Sequence, residues 1–247
     1  MNPDSLCVVV PVYNAEKTLK PLVERLQEVL DGFASSQIVL VDDGSRDGSA
    51  DILRTLFERY DNVTVIFLRR NYGQQNALLC GLRECRCDYA VIIDDDLEQD
   101  PYDIPALYGA IQEGCDVVYG VGAPVKGAFR SLGSRLRDRL FDRITPKPPG
   151  MRVCSFRILN RTTVDHIVEA DTQFVYISLE ILKYTNRIGN IEVRTGERAP
   201  SGYRPLRLMS LLLQMYIYYA PWGLLRSLRR HGACYSVRER LRRENKI

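Results

Sequence analysis

Blocks of apolar residues alternate with amphipathic stretches along the first 120 positions. Leu6 to Val12 is a continuous apolar run, the pattern of a strand buried on both faces, as in a parallel sheet. Between 15 and 31, Leu19, Leu22, Val23, Leu26, Val29 and Leu30 recur at helical spacing, which predicts an amphipathic helix. Gln37 to Val41, Val63 to Leu68, Tyr89 to Ile93 and Asp116 to Gly120 read as further strands. Ala50, Ile52, Leu53, Leu56 and Phe57 mark one intervening helix, residues 76–84 another and 102–112 a third. Strand and helix in this order predict βαβ units, a mostly parallel sheet flanked by helices, and right-handed crossovers. Ligands of such sheets sit beyond the carboxyl ends of the strands. Tyr13-Asn14, Asp42-Asp43, Arg70-Asn71 and Asp94-Asp95-Asp96 all stand at those ends, so the fold class brings four polar clusters to one crevice.

The texture changes after Gly122. From Ala128 to Ile144, Phe129, Leu132, Leu136, Leu140 and Ile144 share one side, with Arg130, Arg135, Arg137, Arg139 and Arg143 interleaved. A basic amphipathic helix of this kind suits a membrane surface, or packs on its own sheet with its arginines in water. Residues 206–225 are apolar apart from Arg207, Ser210 and Gln214, and Pro221 breaks them. Tyr216, Tyr218, Tyr219 and Trp222 suit an interface better than a hydrocarbon centre. A re-entrant or surface-lying helix is therefore expected over a full span. Residues 226–247 hold eight Lys or Arg against two Glu, a net of +6 in a chain of net +3. An apolar element followed by basic residues makes a two-signal membrane anchor; a solvated tail is the plainer reading. The expected division is a catalytic domain over 1–205 and a juxtamembrane helix with a basic tail over 206–247.

Composition narrows the classes. With 45% hydrophobic and 26% charged residues among 247, a disordered or collagen-like chain is excluded. Seven cysteines, an odd number with no CxxC spacing, and no visible secretory leader point to reduced thiols and a cytoplasmic protein. Two histidines leave little material for a zinc site or a His-based triad. The basic tail carries Tyr235 as its one aromatic and no nucleic-acid module, so a nucleic-acid partner is not expected.

Asp94-Asp95-Asp96-Leu97-Glu98 is the sharpest chemical feature. Carboxylates at alternate positions leaving a strand can share a hard cation, and Mg²⁺ takes one or two of them with phosphate oxygens completing its shell. Three aspartates also occur as a plain solvated turn. Asp42-Asp43-Gly44-Ser45 is a second acidic turn, able to accept from a base N–H or ribose hydroxyls, or simply to cap a helix through Ser45 or Asp47.

Val10-Pro11-Val12-Tyr13-Asn14-Ala15-Glu16, Val41-Asp42-Asp43-Gly44-Ser45, Arg70-Asn71-Tyr72-Gly73-Gln74 and the acidic motif follow one another in that order. Together they resemble family 2 glycosyltransferases of GT-A fold, a Rossmann-like nucleotide-diphospho-sugar transferase architecture. Within that family the chain is most similar to the branch of dolichol-phosphate mannose synthases and undecaprenyl-phosphate sugar transferases. Ser155-Phe156-Arg157 and Arg198-Ala199-Pro200-Ser201-Gly202-Tyr203 continue the likeness more loosely.

The resemblance implies an inverting, metal-dependent transferase. It would move a hexose from a UDP- or GDP-sugar to a polyprenyl phosphate, peripheral on the cytoplasmic face of an anionic membrane, with a homo-oligomer left open. Pro11, Tyr13, Glu16, Val41, Asp43 and Arg70, with Asp94 and Asp95, would hold the nucleotide sugar. Asp94, Asp96 and Glu98 would hold Mg²⁺ or Mn²⁺. Arg130 and Ser134 would meet the acceptor phosphate, and Arg198 the donor diphosphate; Asp94, Asp96, Arg130 and Arg198 form the implied catalytic set. Asp95 stands where that branch usually has Ala, and Glu98 where it usually has Gln. Two other readings stay open: a family 2 enzyme acting on a glycan hydroxyl, with Asp171 as base, and a nucleotide-sugar-binding pseudoenzyme.

Overall fold

In the computed structural model, residues 4–122, 150–194, 213–219, 232 and 234–243 are described. The amphipathic stretch 128–144, most of 206–225, and Arg130, Ser134 and Arg198 lie outside them. The strands are β1 (Ser5–Val12), β2 (Ser35–Asp42), β3 (Val63–Leu68), β4 (Tyr89–Ile92), β5 (Val117–Gly122), β6 (Arg157–Asn160), β7 (Ile188–Val193) and β8 (Val237–Leu241). They form one sheet in the order β7-β5-β6-β4-β1-β2-β3-β8. The four strands β3-β2-β1-β4 are mutually parallel, with Val9 opposite Val39 on one side and Ile92 on the other. β6 runs antiparallel between β4 and β5, and β8 runs antiparallel along β3.

The strand's two-residue period sorts the core into two layers. Leu6, Val8, Val10 and Val12 face α1 (Leu19–Leu30), α2 (Ser49–Arg59) and α4 (Ile104–Ile111). Cys7 and Val9 face α3 (Gln74–Glu84) and the helices Arg161–Val168 and Ile177–Tyr184. Both layers are fully buried, which is why β1 reads as an unbroken apolar run. α3 lies so close to the sheet that a Cβ on Gly81 would come within 2.4 Å of Val9 Cγ1. All seven cysteines carry free thiols, and Cys7, Cys80, Cys85 and Cys87 are buried.

Three strands differ from the expectation. β6 is four residues long and begins on a buried arginine. β7 carries Gly189, Asn190 and Glu192, so its apolar signal is weak. β8, Val-Arg-Glu-Arg-Leu, falls in the segment read as a basic tail. Its charges mark an edge strand, where charged side chains discourage further pairing. Here they also dock it: Arg54 meets Glu239 in a two-pronged pair, at 2.8 and 2.5 Å, and Arg240 reaches Glu84 at 3.0 Å.

The far side of the sheet is tied at Asp116. Its carboxylate accepts from Arg187, Thr185 and Asn160, linking β5, β7 and β6. The neighbouring guanidinium holds the Asp116 carboxyl below the usual carboxylate range against the opposing effect of burial. Among the described residues no helix is long and apolar enough to cross a membrane. Residues 213–219 are helical, and Met215 and Tyr219 pack into the protein. The Tyr219 hydroxyl accepts the Tyr176 N–H at 2.8 Å, so this tyrosine, expected at an interface, serves the protein's own packing.

Candidate functional site

The four polar clusters do meet at the carboxyl ends of the parallel strands, and hydrogen bonds between the loops show it. From the end of β1, the Tyr13 N–H donates to Asp95 Oδ2 at 2.9 Å. The Asn14 N–H donates to Ser45 Oγ at 3.0 Å, and Asn14 Oδ1 accepts the Arg46 N–H at 2.8 Å. Asn14 adopts a left-handed backbone, φ 56°, a conformation asparagine tolerates better than most residues. Glu16 Oε2 accepts the Gly48 N–H at 2.9 Å. The β1 loop is thereby fastened to both neighbouring acidic turns.

Gly48 occupies the N-terminal cap of α2. Neither Ser45 nor Asp47 holds that position, although Asp47 Oδ1 accepts the Ser49 N–H at 3.1 Å. Asp42 and Asp43 are both buried. Asp42 Oδ1 accepts the Ser45 N–H at 3.0 Å, closing the turn on itself. Asp43 reaches the other way: its two carboxylate oxygens accept the Tyr72 N–H at 2.6 Å and the Gly73 N–H at 2.8 Å. Burial raises its carboxyl above the ordinary range, and those two amides offset part of the rise. Gly73 sits at φ 91° and Gly44 at φ 73°, conformations that suit glycine.

Beyond β4, Asp94 is half-buried and gripped by two amides. Gln74 Nε2 donates to Asp94 Oδ1 at 2.6 Å, and Gln99 Nε2 to Asp94 Oδ2 at 3.0 Å. The Asp94 N–H returns to Gln99 Oε1 at 3.0 Å. Burial pushes the Asp94 carboxyl up, and that of Asp95 up to about 6, against the Tyr13 N–H. Asp96 is exposed and accepts the Glu98 N–H at 2.9 Å through a turn in which Leu97 has φ 62°.

Among the described residues no three His, Cys, Asp or Glu side chains form a closed metal-ligand group. Asp94 and Asp96 nevertheless fit a hard divalent cation. They are oxygen donors, two residues apart, one oriented by amide donors and one open to solvent, which matches a cation that keeps most of its shell for phosphate and water.

The remaining expected residues fall in two groups. Tyr13 is 44% exposed, a ring available to stack. Arg70 is exposed, with its guanidinium 5.0 Å from the Tyr72 ring centre. Pro11 and Val41 are buried strand residues, and the Val41 side chain packs under α3. Asp171 is exposed and accepts the Gly232 N–H at 3.3 Å.

Sequence reasoning missed Gln74 and Gln99 as the grips on Asp94, and Arg157 beneath it. Arg157 is 2% exposed; its Nη1 donates to Ser178 Oγ at 2.7 Å, and its guanidinium lies 5.7 Å from the Tyr119 ring centre. Its Nε has no hydrogen-bond partner, and no carboxylate pairs with it among the described residues. Its charge acts on Asp94 and lowers that carboxyl's pKa.

Residues 7–168 match the family described as "Glycosyl transferase family 2". An undecaprenyl-phosphate 4-deoxy-4-formamido-L-arabinose transferase of Pseudomonas fluorescens is 34% identical over 213 residues, 84% of this chain and 63% of that protein. Its namesake from Serratia proteamaculans is 32% identical over 84% of this chain and 65% of that protein. The chain thus spans a little under two thirds of the length of these relatives. Among solved structures, glucosyl-3-phosphoglycerate synthase from Mycobacterium tuberculosis with UDP superposes at a TM-score of 0.66, 17% identity, over 93% of this chain and 87% of that one. A mannosyltransferase from Pyrobaculum calidifontis with GDP-mannose and Mn²⁺ superposes at 0.60, 18% identity, over 87% of this chain and 63% of that one.

Proposed function

Since the chain belongs to glycosyl transferase family 2, we propose that it transfers a glycosyl group from a nucleotide-diphosphate sugar to a polyprenyl phosphate at a membrane surface, with inversion at the anomeric carbon. The observation that carries this is the junction at the ends of β1, β2 and β4, where loop-to-loop hydrogen bonds hold Tyr13, Asp43, Asp94 and Asp95, and Asp96 follows in the same acidic turn. The relatives named for undecaprenyl phosphate and an arabinose derivative support the acceptor class. They widen the expected donor sugar beyond a hexose.

In this reading the exposed Tyr13 ring stacks on the base. Asp43 fixes the β2 and β3 loops against each other, and its remaining lone pairs face the nucleoside. Asp94 and Asp96 would hold Mg²⁺ or Mn²⁺, with Glu98 beside them, and the ion would neutralise the diphosphate leaving group. Gln74 and Gln99 keep the Asp94 oxygens in one orientation, so little reorganisation is needed as charge develops. A phosphate monoester has its second pKa near ~6; it is an anionic nucleophile at pH 7 and needs no general base. Arginines suit its placement, since guanidinium matches phosphate bidentately. Arg130, Ser134 and Arg198, outside the described residues, are our proposed contacts to the acceptor phosphate and the donor diphosphate.

The test is a partition assay. Protein, Mg²⁺ or Mn²⁺ and labelled UDP- and GDP-sugars are mixed with undecaprenyl or dolichyl phosphate. EDTA-sensitive label in the organic phase is expected, and its absence for every donor overturns the proposed acceptor. Donor hydrolysis without organic label moves the acceptor to a hydroxyl and makes Asp171 the next residue to substitute.

A further inference from the structure

A second pocket lies on the opposite face of the β2 and β3 loops from Asp43. It has a volume of about 300 Å³, and its lining includes Arg46, Arg69, Arg70 and Arg238. Among the described residues Asp42 is the one carboxylate in the lining, and it already accepts the Ser45 N–H. Four arginines thus contribute to the lining beside one acid among the described residues.

Two features separate this pocket from the nucleotide crevice. Asp42 and Asp43 are consecutive, and consecutive side chains at a strand end point to opposite faces: Asp42 lines the pocket, while Asp43 turns to the Tyr72 and Gly73 amides. The wall between is backbone against backbone. A Cβ on Gly44 would lie 2.7 Å from the Arg70 carbonyl carbon and 2.8 Å from Asn71 N.

The arginines here differ from their neighbours. On the same strand and around it, Arg54 pairs with Glu239, Arg240 with Glu84, and Arg243 with Asp61. None of Arg46, Arg69, Arg70 and Arg238 forms a close ion pair among the described residues, and Arg238 meets Glu239 only at longer range. Arg238 lies 5.4 Å from the Phe67 ring centre and Arg70 lies over Tyr72, so aromatic faces, not acids, support them. The Arg69 N–H donates to the Ser236 carbonyl at 2.9 Å, which brings the start of β8 to this corner. Gathering like charges without counter-charge is unfavourable, and a concave site lined by one sign of charge concentrates an ion of the other.

We propose that this pocket is an anion site for a phosphate group, distinct from the donor crevice and completed by Arg238 of β8. The excess of positive charge favours a dianion over a single carboxylate, and planar guanidinium forks match phosphate oxygens. A free phosphorylated solute and an anionic lipid headgroup carry the same chemistry. The proposal does not depend on the transferase reading.

The experiment uses the full chain in EDTA, so that no divalent ion draws phosphate to the Asp94 side. Inorganic phosphate is titrated calorimetrically into wild type, Arg69→Gln, Arg238→Gln and, as a charge control, Arg86→Gln; Arg86 is exposed and outside the pocket. Each variant is also sedimented with phosphatidylcholine vesicles with and without phosphatidylglycerol, and thermal melts check folding. The expected result is a roughly tenfold weaker affinity in both pocket variants and an unchanged one in Arg86→Gln. Loss confined to phosphatidylglycerol vesicles assigns the site to a lipid headgroup; loss in the phosphate titration assigns it to a soluble ligand. If both pocket variants bind both probes as wild type and the control do, or if wild type binds neither, the proposal is overturned.

Discussion

The Tyr13 N–H donates to Asp95 Oδ2 at 2.9 Å, so the middle aspartate of the acidic triplet serves the β1 loop while its neighbours Asp94 and Asp96 are left for the proposed cation. Asp95→Ala removes the acceptor and frees the Tyr13 loop. A hydrogen bond to a charged group contributes about 1.5–3 kcal/mol, so donor affinity is expected to fall by roughly tenfold or more. Asp95→Asn keeps an oxygen acceptor and is expected within about threefold of wild type. A nucleotide-sugar titration checks both, and wild-type affinity in Asp95→Ala refutes the assignment.

Asp96→Ala is expected to abolish transfer without unfolding the protein, because Asp96 is exposed and, among the described residues, its side chain accepts only the Glu98 N–H. Full activity in that variant would refute the cation assignment, and a thermal melt beside the assay separates this from loss of structure.

Arg157 is a buried cation whose Nε has no partner. Replacing such a group by an apolar side chain of similar size is often neutral or stabilising by about 1–4 kcal/mol. Arg157→Met is therefore expected to melt at or above the wild-type temperature. Its transfer rate is expected to fall by about tenfold, because the positive charge facing Asp94 is gone. A lower melting temperature with unchanged activity would make Arg157 a packing residue only.

Asp116 supplies the pH prediction. Its carboxyl is held low by Arg187, so its contribution is present above the unfolded value, about 4, and is lost as pH falls through the lower folded value. Asp116→Asn is expected to cost about 1–3 kcal/mol at pH 7, with the gap to wild type closing below about pH 4. Denaturant unfolding at several pH values reads it, and a gap that widens in acid contradicts the sign.

Two glycine variants test packing. Gly81→Ala puts a methyl into Val9 and Val41 and is expected to cost about 1–3 kcal/mol. Gly109→Ala, inside α4 with nothing within 4 Å of the added Cβ, is expected to add about 0.5–1 kcal/mol. Opposite shifts of melting temperature are the expected outcome.

How much of this was legible in the sequence follows from what each segment buries. β1 to β4 are enclosed on both faces, so their strand signal is apolar continuity, and the polar residues just beyond them mark the crevice. The acidic triplet stood out for the same reason. β8 did not, because an edge strand is free to carry Arg238, Glu239 and Arg240, and its place depends on Arg54 and Glu84 from distant helices. Gln74 and Gln99 are ordinary polar residues until folding sets them on either oxygen of Asp94. Arg157 is legible only as part of the Ser155-Phe156-Arg157 likeness, and the sheet order shows that β6 carries it inside.

The pairing of β8 with β3 also bears on how the protein is made. Arg54 and Glu239 stand 185 positions apart. On the ribosome, at about 5–20 residues per second, β3 is complete roughly ten or more seconds before the strand that covers it exists. Through that interval the outer edge of the nascent sheet offers unpaired amides and carbonyls to any passing chain. Cleavage or truncation before Val237 would make that transient exposure permanent, turning the β3 rim into a point of self-association.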